Sequence, residues 1–407
     1  MQKLLFTALA VVLFLSSSAG GFQVSLQGQK QIGMGHVGVP MLFGASSIYF
    51  NPGALPMLDS TFSASLGMST IFSKAYYQNE TYNQTFESDN PVGTPFSAYA
   101  NYILKERISI GLGVYTPFGS SVVWDDQWAG RYLIQKIQLR SFFIQPTVGY
   151  KVMDNLGIGV GFIWATGNVK INRAINLPVG DNTETVELSS GANGYGFNAG
   201  IYYDPMEQLH IGLSYKSGIK MEAKDGDVTM KVPASLNSNF PETNKFSTTL
   251  NLPGSVNFGI GYDLTDKITI AAEANWVNWD VYDSLVFDFE TNTDGLEDSR
   301  NPRLYENTIA FRLGANYQHS EKLSVRLGAY YDPSPVQDEY FTPETPNMDN
   351  LGFTGGASYS PMKNLSIDVS LLYIYGLERE SQYKPANFSG TYRTTAWVPG
   401  LGLSYNF

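Results

Sequence analysis

Side chains able to exchange protons, hold metals or attack carbonyls are sparse in this chain of 407 residues, which has three histidines and no cysteine. His36, His210 and His319 have no serine or aspartate at a spacing that would make one of them the base of a nucleophile. No GxSxG, CxxC or HExxH pattern occurs. Gly33-Met34-Gly35-His36-Val37-Gly38 satisfies GxGxxG and Asp59 follows about twenty residues on, but no strand leads into it and no helix leaves it, so a dinucleotide site is not expected. Asn292, Asp294, Glu297 and Asp298 are a loose calcium-loop candidate whose spacing departs from the EF-hand, and a solvated acidic loop explains them as well. The chain therefore reads as a non-enzyme, without cofactor or metal. What remains is a thin set of charges inside strand-like stretches: His210, Lys216, Glu273, Arg312, Arg326 and Asp368. Glu273 lies five residues after Ile268 and Arg312 five before Tyr317, which puts the two at similar heights on neighbouring strands. A buried charge without a partner is costly, so these groups are expected to form a network with one another or with the backbone of the amino-terminal stretch. The alternative role is to hold a substrate carboxylate, for which Lys170 and Arg173 are further candidates.

The elements that would position these charges show a repeat. A Tyr and a Leu or Ile recur six residues apart, at Tyr102 to Ile108, Tyr150 to Leu156, Tyr203 to Leu209, Tyr262 to Ile268, Tyr317 to Leu323 and Tyr359 to Leu365. Between them lie short turns such as DPMEQ and SPMKN. Alternation runs away from each turn with one phase: Leu156, Ile158, Val160, Phe162 and Trp164 alternate with small residues. A period of two over about ten residues, with an apolar face ended by tyrosine, is the pattern of a strand with lipid outside and a lumen inside. Six turns join twelve strands, and stretches at about 61–76 and 394–407 add one at each end. The expected fold is all-β, a fourteen-stranded antiparallel transmembrane β-barrel, with no sheet edge left open. The longer connections, at about 172–193, 223–246, 291–303 and 333–350, read as extracellular loops.

Three regions follow. Residues 1–20 have a Lys3 charge, an apolar run and small residues before a cut after Ala19 or Gly20, a removable signal peptide. Residues 21–59 contain too many glycines for a helix and no alternation, and are expected to form a compact hatch, or plug, inside the barrel formed by 60–407. No apolar run of about 20 residues occurs beyond the signal, so no transmembrane helix is expected. The formal charge of −11 offers no basic stripe for nucleic acid.

A water-filled porin needs a polar lumen. Here the inward set includes Phe22, Tyr99, Tyr115, Phe143, Ile163, Tyr202, Val277, Tyr330, Leu372 and Ile374, which fits either packing on a plug or a greasy pocket. In the third strand, Tyr115-Thr116-Pro117-Phe118-Gly119 should break the ladder, because Pro117 has no amide hydrogen to give. A break there opens the wall sideways, toward lipid.

Gly21-Phe22-Gln23, IGMGHVG (32–38) and SSIYFNPGAL (46–55) resemble the amino terminus of the FadL/TodX family of outer-membrane transporters for long-chain fatty acids and hydrocarbons. VYTPFG, WAGRY, LPGSVNFGIGY, EANWVNW, FRLGANY and YYDPSPV extend the resemblance in order over nearly all of the mature chain. It implies a fourteen-strand barrel with a hatch and a passive route ending in lateral exit at a kinked third strand. It further implies that Asn51, Pro52 and Gly53 form the hatch motif beside that kink, Gly53 standing where the family has alanine and leaving the backbone looser. The expected function is uptake of hydrophobic molecules, foremost long-chain fatty acids, by a monomer in the outer membrane of a Gram-negative bacterium, in contact with its lipid and lipopolysaccharide. The alternatives are a general small-solute porin, or an adhesin or scaffold anchored by its barrel.

Overall fold

The computed structural model describes residues 21–79, 83–177 and 183–407; the signal-peptide region lies outside them. The strands form one antiparallel sheet that closes when Phe62–Ser69 pairs with Phe388–Asn406, Ser63 opposite Asn406. Several crossing strands are in two pieces, such as Leu209–Lys216 with Ile219–Lys231, and counted as crossings they make a closed barrel of fourteen. The six expected turns each join an antiparallel pair.

Lipid dictates the outward face. Val160, Phe162, Leu313, Leu327 and Leu401 are exposed, while their strand neighbours Ser324, Arg326 and Asn198 are buried. The tyrosines at the turns, Tyr102, Tyr150, Tyr203, Tyr262, Tyr317 and Tyr359, lie on the same outward face. Trp164, Tyr195, Trp276 and Trp397 make a second exposed ring at the other end of the apolar band. Aromatic side chains suit both boundaries because one part of the ring system is apolar and another can bond water.

Two of the segments read as extracellular loops, 172–193 and 223–246, are in large part strand, and a third, 291–303, holds the short strand Ser299–Pro302. Leu156–Ala174 and Thr185–Met206 stay paired out to Ala174 opposite Thr185. Ile219–Lys231 pairs with Thr243–Leu252, and Ser284–Phe289 with Ser299–Pro302. The ladder continues but the chemistry of its two faces inverts. Beyond Trp164 the outward residues become Thr166, Asn168 and Lys170, while Ile171, Val186, Leu188, Met221 and Met230 are buried inside. Above the membrane the outside is water, so the apolar side chains turn to the interior. The first strand, expected over 61–76, is in fact Phe62–Ser69 and Phe72–Asn79, split at Thr70 and Ile71.

The amino-terminal segment fills the lower barrel. It contains two short helices, Gln29–Gly33 and Ser47–Phe50, and a 3-10 turn at Pro52–Met57, nearly all buried. Small residues on both surfaces permit the contact. Gly35, with φ of 69°, sits where a Cβ would come 2.5 Å from the Leu313 carbonyl oxygen.

Leu327→Arg places a charge on the lipid face near mid-membrane and is expected to cost about 2–4 kcal/mol in guanidinium unfolding from lipid vesicles, whereas Thr166→Arg, just above the aromatic ring, should cost about 0–1 kcal/mol.

Candidate functional site

The sheet is interrupted at one place that bears on function. Ile108–Tyr115 is paired on both sides, ending with Tyr115 opposite Ser97 and Phe143. Gly119–Val123 pairs with Lys136–Met153 alone, among the described residues, Gly119 standing opposite Arg140. On the missing side the chain from 91 to 95 turns away and bonds Ile71 through Gly93. The wall reseals higher up, where Asp89 N donates to Val123 O at 2.8 Å and Val123 N donates to Asn90 Oδ1 at 3.0 Å. The result is a window bounded by 91–95 and 117–122. From inside, the amino-terminal segment lies along one edge: Val24 N donates to Pro117 O at 2.8 Å and Gly119 N donates to Phe22 O at 3.1 Å.

Behind the window is a cavity of about 620 Å3, lined on the window side by Phe96, Phe118 and Val122 and on the last two crossing strands by Leu372, Ile374 and Val398. A smaller apolar slot of about 80 Å3 adjoins it, lined by Leu139, Val169, Leu250, Leu285 and Phe287. Phe22 lines both. Its ring is held by Phe118, Trp279 and Tyr282 at centroid distances of 6.0, 5.3 and 5.5 Å. The connection 343–347 also borders both spaces and is fixed at several points. Trp124 Nε1 donates to Pro343 O at 3.1 Å, Arg303 meets Glu344 at 2.6 Å and Asn347 Nδ2 donates to Gly21 O at 3.1 Å. Burial alone would lower the Arg303 guanidinium, but the Glu344 carboxylate together with Tyr282 and Tyr383 more than offsets it, and its pKa lies above the ordinary value.

Below the cavity, wall side chains bond the backbone of the amino-terminal segment. Gln145 Nε2 donates to Ile48 O at 2.7 Å, and Asn198 Nδ2 donates to Ile48 O at 3.1 Å and Tyr49 O at 3.0 Å. Glu273 Oε2 accepts from Gly38 N and Val39 N, both at 3.0 Å, while its Oε1 accepts from Arg312 Nη1 at 2.9 Å. Glu273 and Arg312 are direct partners in the ladder. Arg326 and Asp368 are not in contact with that pair; Ser358 links them, accepting from Arg326 and donating to Asp368, and Lys30 lies 4.0 Å from Asp368. His36 borders the cavity; burial, with Arg312 nearby, pushes its pKa down to about 3, so its imidazole is neutral.

The ten apolar candidates divide between two environments. Tyr99 and Tyr115 pack with each other and Tyr115 with Tyr49, and Tyr202 packs with Ala54 and Met57, so these support the amino-terminal segment. Phe143 lies against Tyr115 and Phe118, and Ile163 and Val277 belong to the same buried cluster. Phe22, Tyr330, Leu372 and Ile374 face the cavity. Asn51, Pro52 and Gly53 do not lie beside the kink. Asn51 Nδ2 donates to Ile201 O at 2.9 Å, and Gly53 abuts Gly157 and Gly200, on the fifth and sixth crossing strands. Residues 22–27 take the place at the kink instead, Gln27 Nε2 donating to Thr116 O at 3.1 Å. Gly53 does not loosen the packing either: a Cβ there would come 2.7 Å from the Gly200 carbonyl oxygen and 2.8 Å from that of Gly157, so close approach requires glycine. Lys170 is turned outward and pairs with Glu187 at 2.7 Å, and Arg173 is exposed. His210 bridges Asp204 and Asp263 near the turns, and the Lys216 ammonium sits 3.4 Å from the centre of the Tyr49 ring. The cavity residues Val24, Leu26, Ile71 and Asp332 carry no signal in the sequence, since Val24 and Leu26 lie in the irregular amino-terminal segment, Ile71 falls where the first expected strand splits, and Asp332 ends an alternating run.

A closed barrel with a lipid-facing band, a filled lower lumen and an apolar chamber beside a wall window has the architecture of an outer-membrane transport channel. Residues 10–407 match the family model described as outer membrane protein transport protein (OMPP1/FadL/TodX), and the chain belongs to that family. Outer membrane protein P1 of Haemophilus influenzae is 26% identical over 346 residues, covering 75% of this chain and 73% of that one. The long-chain fatty acid transport protein of Escherichia coli strain K12 is 23% identical over 459 residues, covering 100% of both. Among solved structures, a Pseudomonas aeruginosa FadL homologue matches with a TM-score of 0.83 at 18% identity, over 95% of this chain and 100% of that chain. The Ralstonia pickettii toluene transporter TbuX matches with a TM-score of 0.71 at 18% identity, over 93% and 98%. The protein is an outer-membrane transport protein of that family, in a Gram-negative bacterium.

Glu273→Ala would leave the Arg312 guanidinium and two amides without their acceptor, and is expected to destabilise the folded barrel by about 3–5 kcal/mol, read as a lower unfolding midpoint in guanidinium.

Proposed function

We propose that this protein carries hydrophobic molecules passively, long-chain fatty acids foremost, from the outer slot into the chamber and out through the wall window into the bilayer. Residues 21–59 act as the hatch that keeps the lumen shut to water. The observation that carries this reading is the coincidence of three features: a broken ladder, a cavity directly behind the break, and a chain segment held to the break by two backbone bonds. The names of the relatives support the cargo class, since they include long-chain fatty acid and toluene transporters.

In mechanism, a cargo loses its water in the slot, where removing apolar surface from water supplies about 25 cal/mol per Å2. Passage from slot to chamber requires Phe22 to give way, because its ring lies between them. That displacement lifts Phe22 and Val24 from the kink, and the window opens onto lipid. Nothing in the cycle needs an energy source; the concentration difference sets its direction.

Reconstituted into liposomes, the protein should pass long-chain fatty acids while excluding sugars and ions, and equal flux of sugars would support a porin. Co-purified lipid found by native mass spectrometry favours transport over a barrel-anchored adhesin. Ser120→Trp, which fills the window edge where both cavities meet, should cut fatty-acid flux by about tenfold or more, a barrier increase of about 1.4 kcal/mol, with barrel formation unchanged.

A further inference from the structure

The end of the chamber across the barrel from the window is polar. Arg312, Tyr330, Asp332 and Asn350, on the tenth to twelfth crossing strands, meet His36 of the amino-terminal segment around one space. The charge there is unbalanced. Arg312 is already engaged, by Glu273 at 2.9 Å and by the His36 carbonyl oxygen at 3.4 Å. Asp332 forms no ion pair among the described residues, and its charged neighbours are Arg312 and Asp349. Asp349 itself accepts from the Tyr331 hydroxyl and from Ser334 N. Counting Lys216, which lies near both Arg312 and Glu273 but does not border the chamber, two cations thus stand against the three carboxylates of Glu273, Asp332 and Asp349.

His36 adds no charge and no reachable acceptor, since its imidazole is neutral and its Nδ1 is sealed from the chamber. Two other cations border the chamber, both at the window side: Lys74 is paired with Glu87, and exposed Arg140 lies opposite Gly119.

We infer that this end of the chamber receives an uncharged head group that donates a hydrogen bond, a hydroxyl or a protonated carboxyl, and disfavours a carboxylate anion. An O–H donor satisfies Asp332, and its oxygen can accept from the Tyr330 hydroxyl. A carboxylate has no proton to give and meets surplus negative charge in a site shielded from water, where like charges repel more strongly. The inference rests on the transport reading and narrows its cargo: a fatty acid is carried protonated, and a long-chain alcohol without any proton change.

The test is equilibrium binding of radiolabelled 1-dodecanol to the full-length protein in nanodiscs at neutral pH, with dodecanoate and dodecylamine as competitors and empty nanodiscs subtracted. Unlabelled dodecanol should compete about tenfold better than dodecanoate, a difference of about 1.4 kcal/mol. Asp332→Asn, which keeps an acceptor and removes the charge, should bring dodecanoate close to dodecanol while dodecanol binding stays within about threefold. Equal competition by dodecanoate in the unaltered protein overturns the inference, and its loss in Arg140→Gln would then place the anion at the window. Dodecylamine outcompeting dodecanol overturns it too, by revealing a cation site. No dodecanol binding together with no liposome flux removes the transport reading itself, whereas flux with equal dodecanoate competition removes the head-group inference alone.

Discussion

A backbone amide in hydrocarbon has no water to bond, so a sheet that crosses a membrane must satisfy every donor and acceptor within itself. Closure of the fourteen-strand ladder meets that demand around the ring, and the window is where it fails. Pro117 lessens the deficit by having no amide hydrogen, and Phe22 and Val24 supply partners for the Gly119 amide and the Pro117 carbonyl. Each such bond contributes about 1 kcal/mol net. A pair of them is enough to close an edge and, on the proposed route, weak enough to be exchanged when a greasy molecule pushes past.

The amino-terminal segment is accordingly unequal along its length. From Gln29 to Gly53 it is tied to the walls by Thr354, Glu273, Asn198 and Gln145 and by the close approach of glycines to strand backbone. From Gly21 to Gln27 its ties are the kink, Asn347 and an aromatic cluster around Phe22. On the proposed reading of this segment as a hatch, a stopper anchored at its lower part and lightly held at its tip keeps the lumen dry while the tip moves. Bonds from side chain to backbone suit the fixed part, because they satisfy irregular backbone that has no ladder of its own.

What could be read from the sequence is what lipid imposes. The turn tyrosines and the period of two are forced by an apolar surrounding, so strand number, facing and register followed, and the heights of Glu273 and Arg312 with them. Pro117 announced the break because a missing amide hydrogen is a property of the residue itself. Three things were hidden. Apolar residues look alike whether they touch a plug or a cavity, so Tyr202 and Leu372 could not be told apart. Strands above the membrane looked like loops because their faces exchange chemistry at Trp164 while the ladder runs on. Gly53 looked like a loosening because its need is set by the carbonyl oxygens of Gly157 and Gly200, far away in sequence.

On the proposed lateral route, the height of the window shapes the energetics of release. On the fourth crossing strand Phe142 is an outermost lipid-facing residue and Arg140, opposite Gly119, is already polar, so the opening lies at the outer boundary of the apolar band. Entry from water gains about 0.8 kcal/mol for each methylene buried. Exit into the bilayer costs almost nothing for the chain, since one apolar surrounding replaces another. The head group is different, because leaving the polar end of the chamber breaks its hydrogen bonds, and a window at mid-membrane would leave it in hydrocarbon. At the boundary it reaches water and lipid head groups as the chain slides sideways, so new hydrogen bonds form outside as the inner ones break. On the proposed route and head-group preference, the chamber therefore discriminates without trapping what it selects.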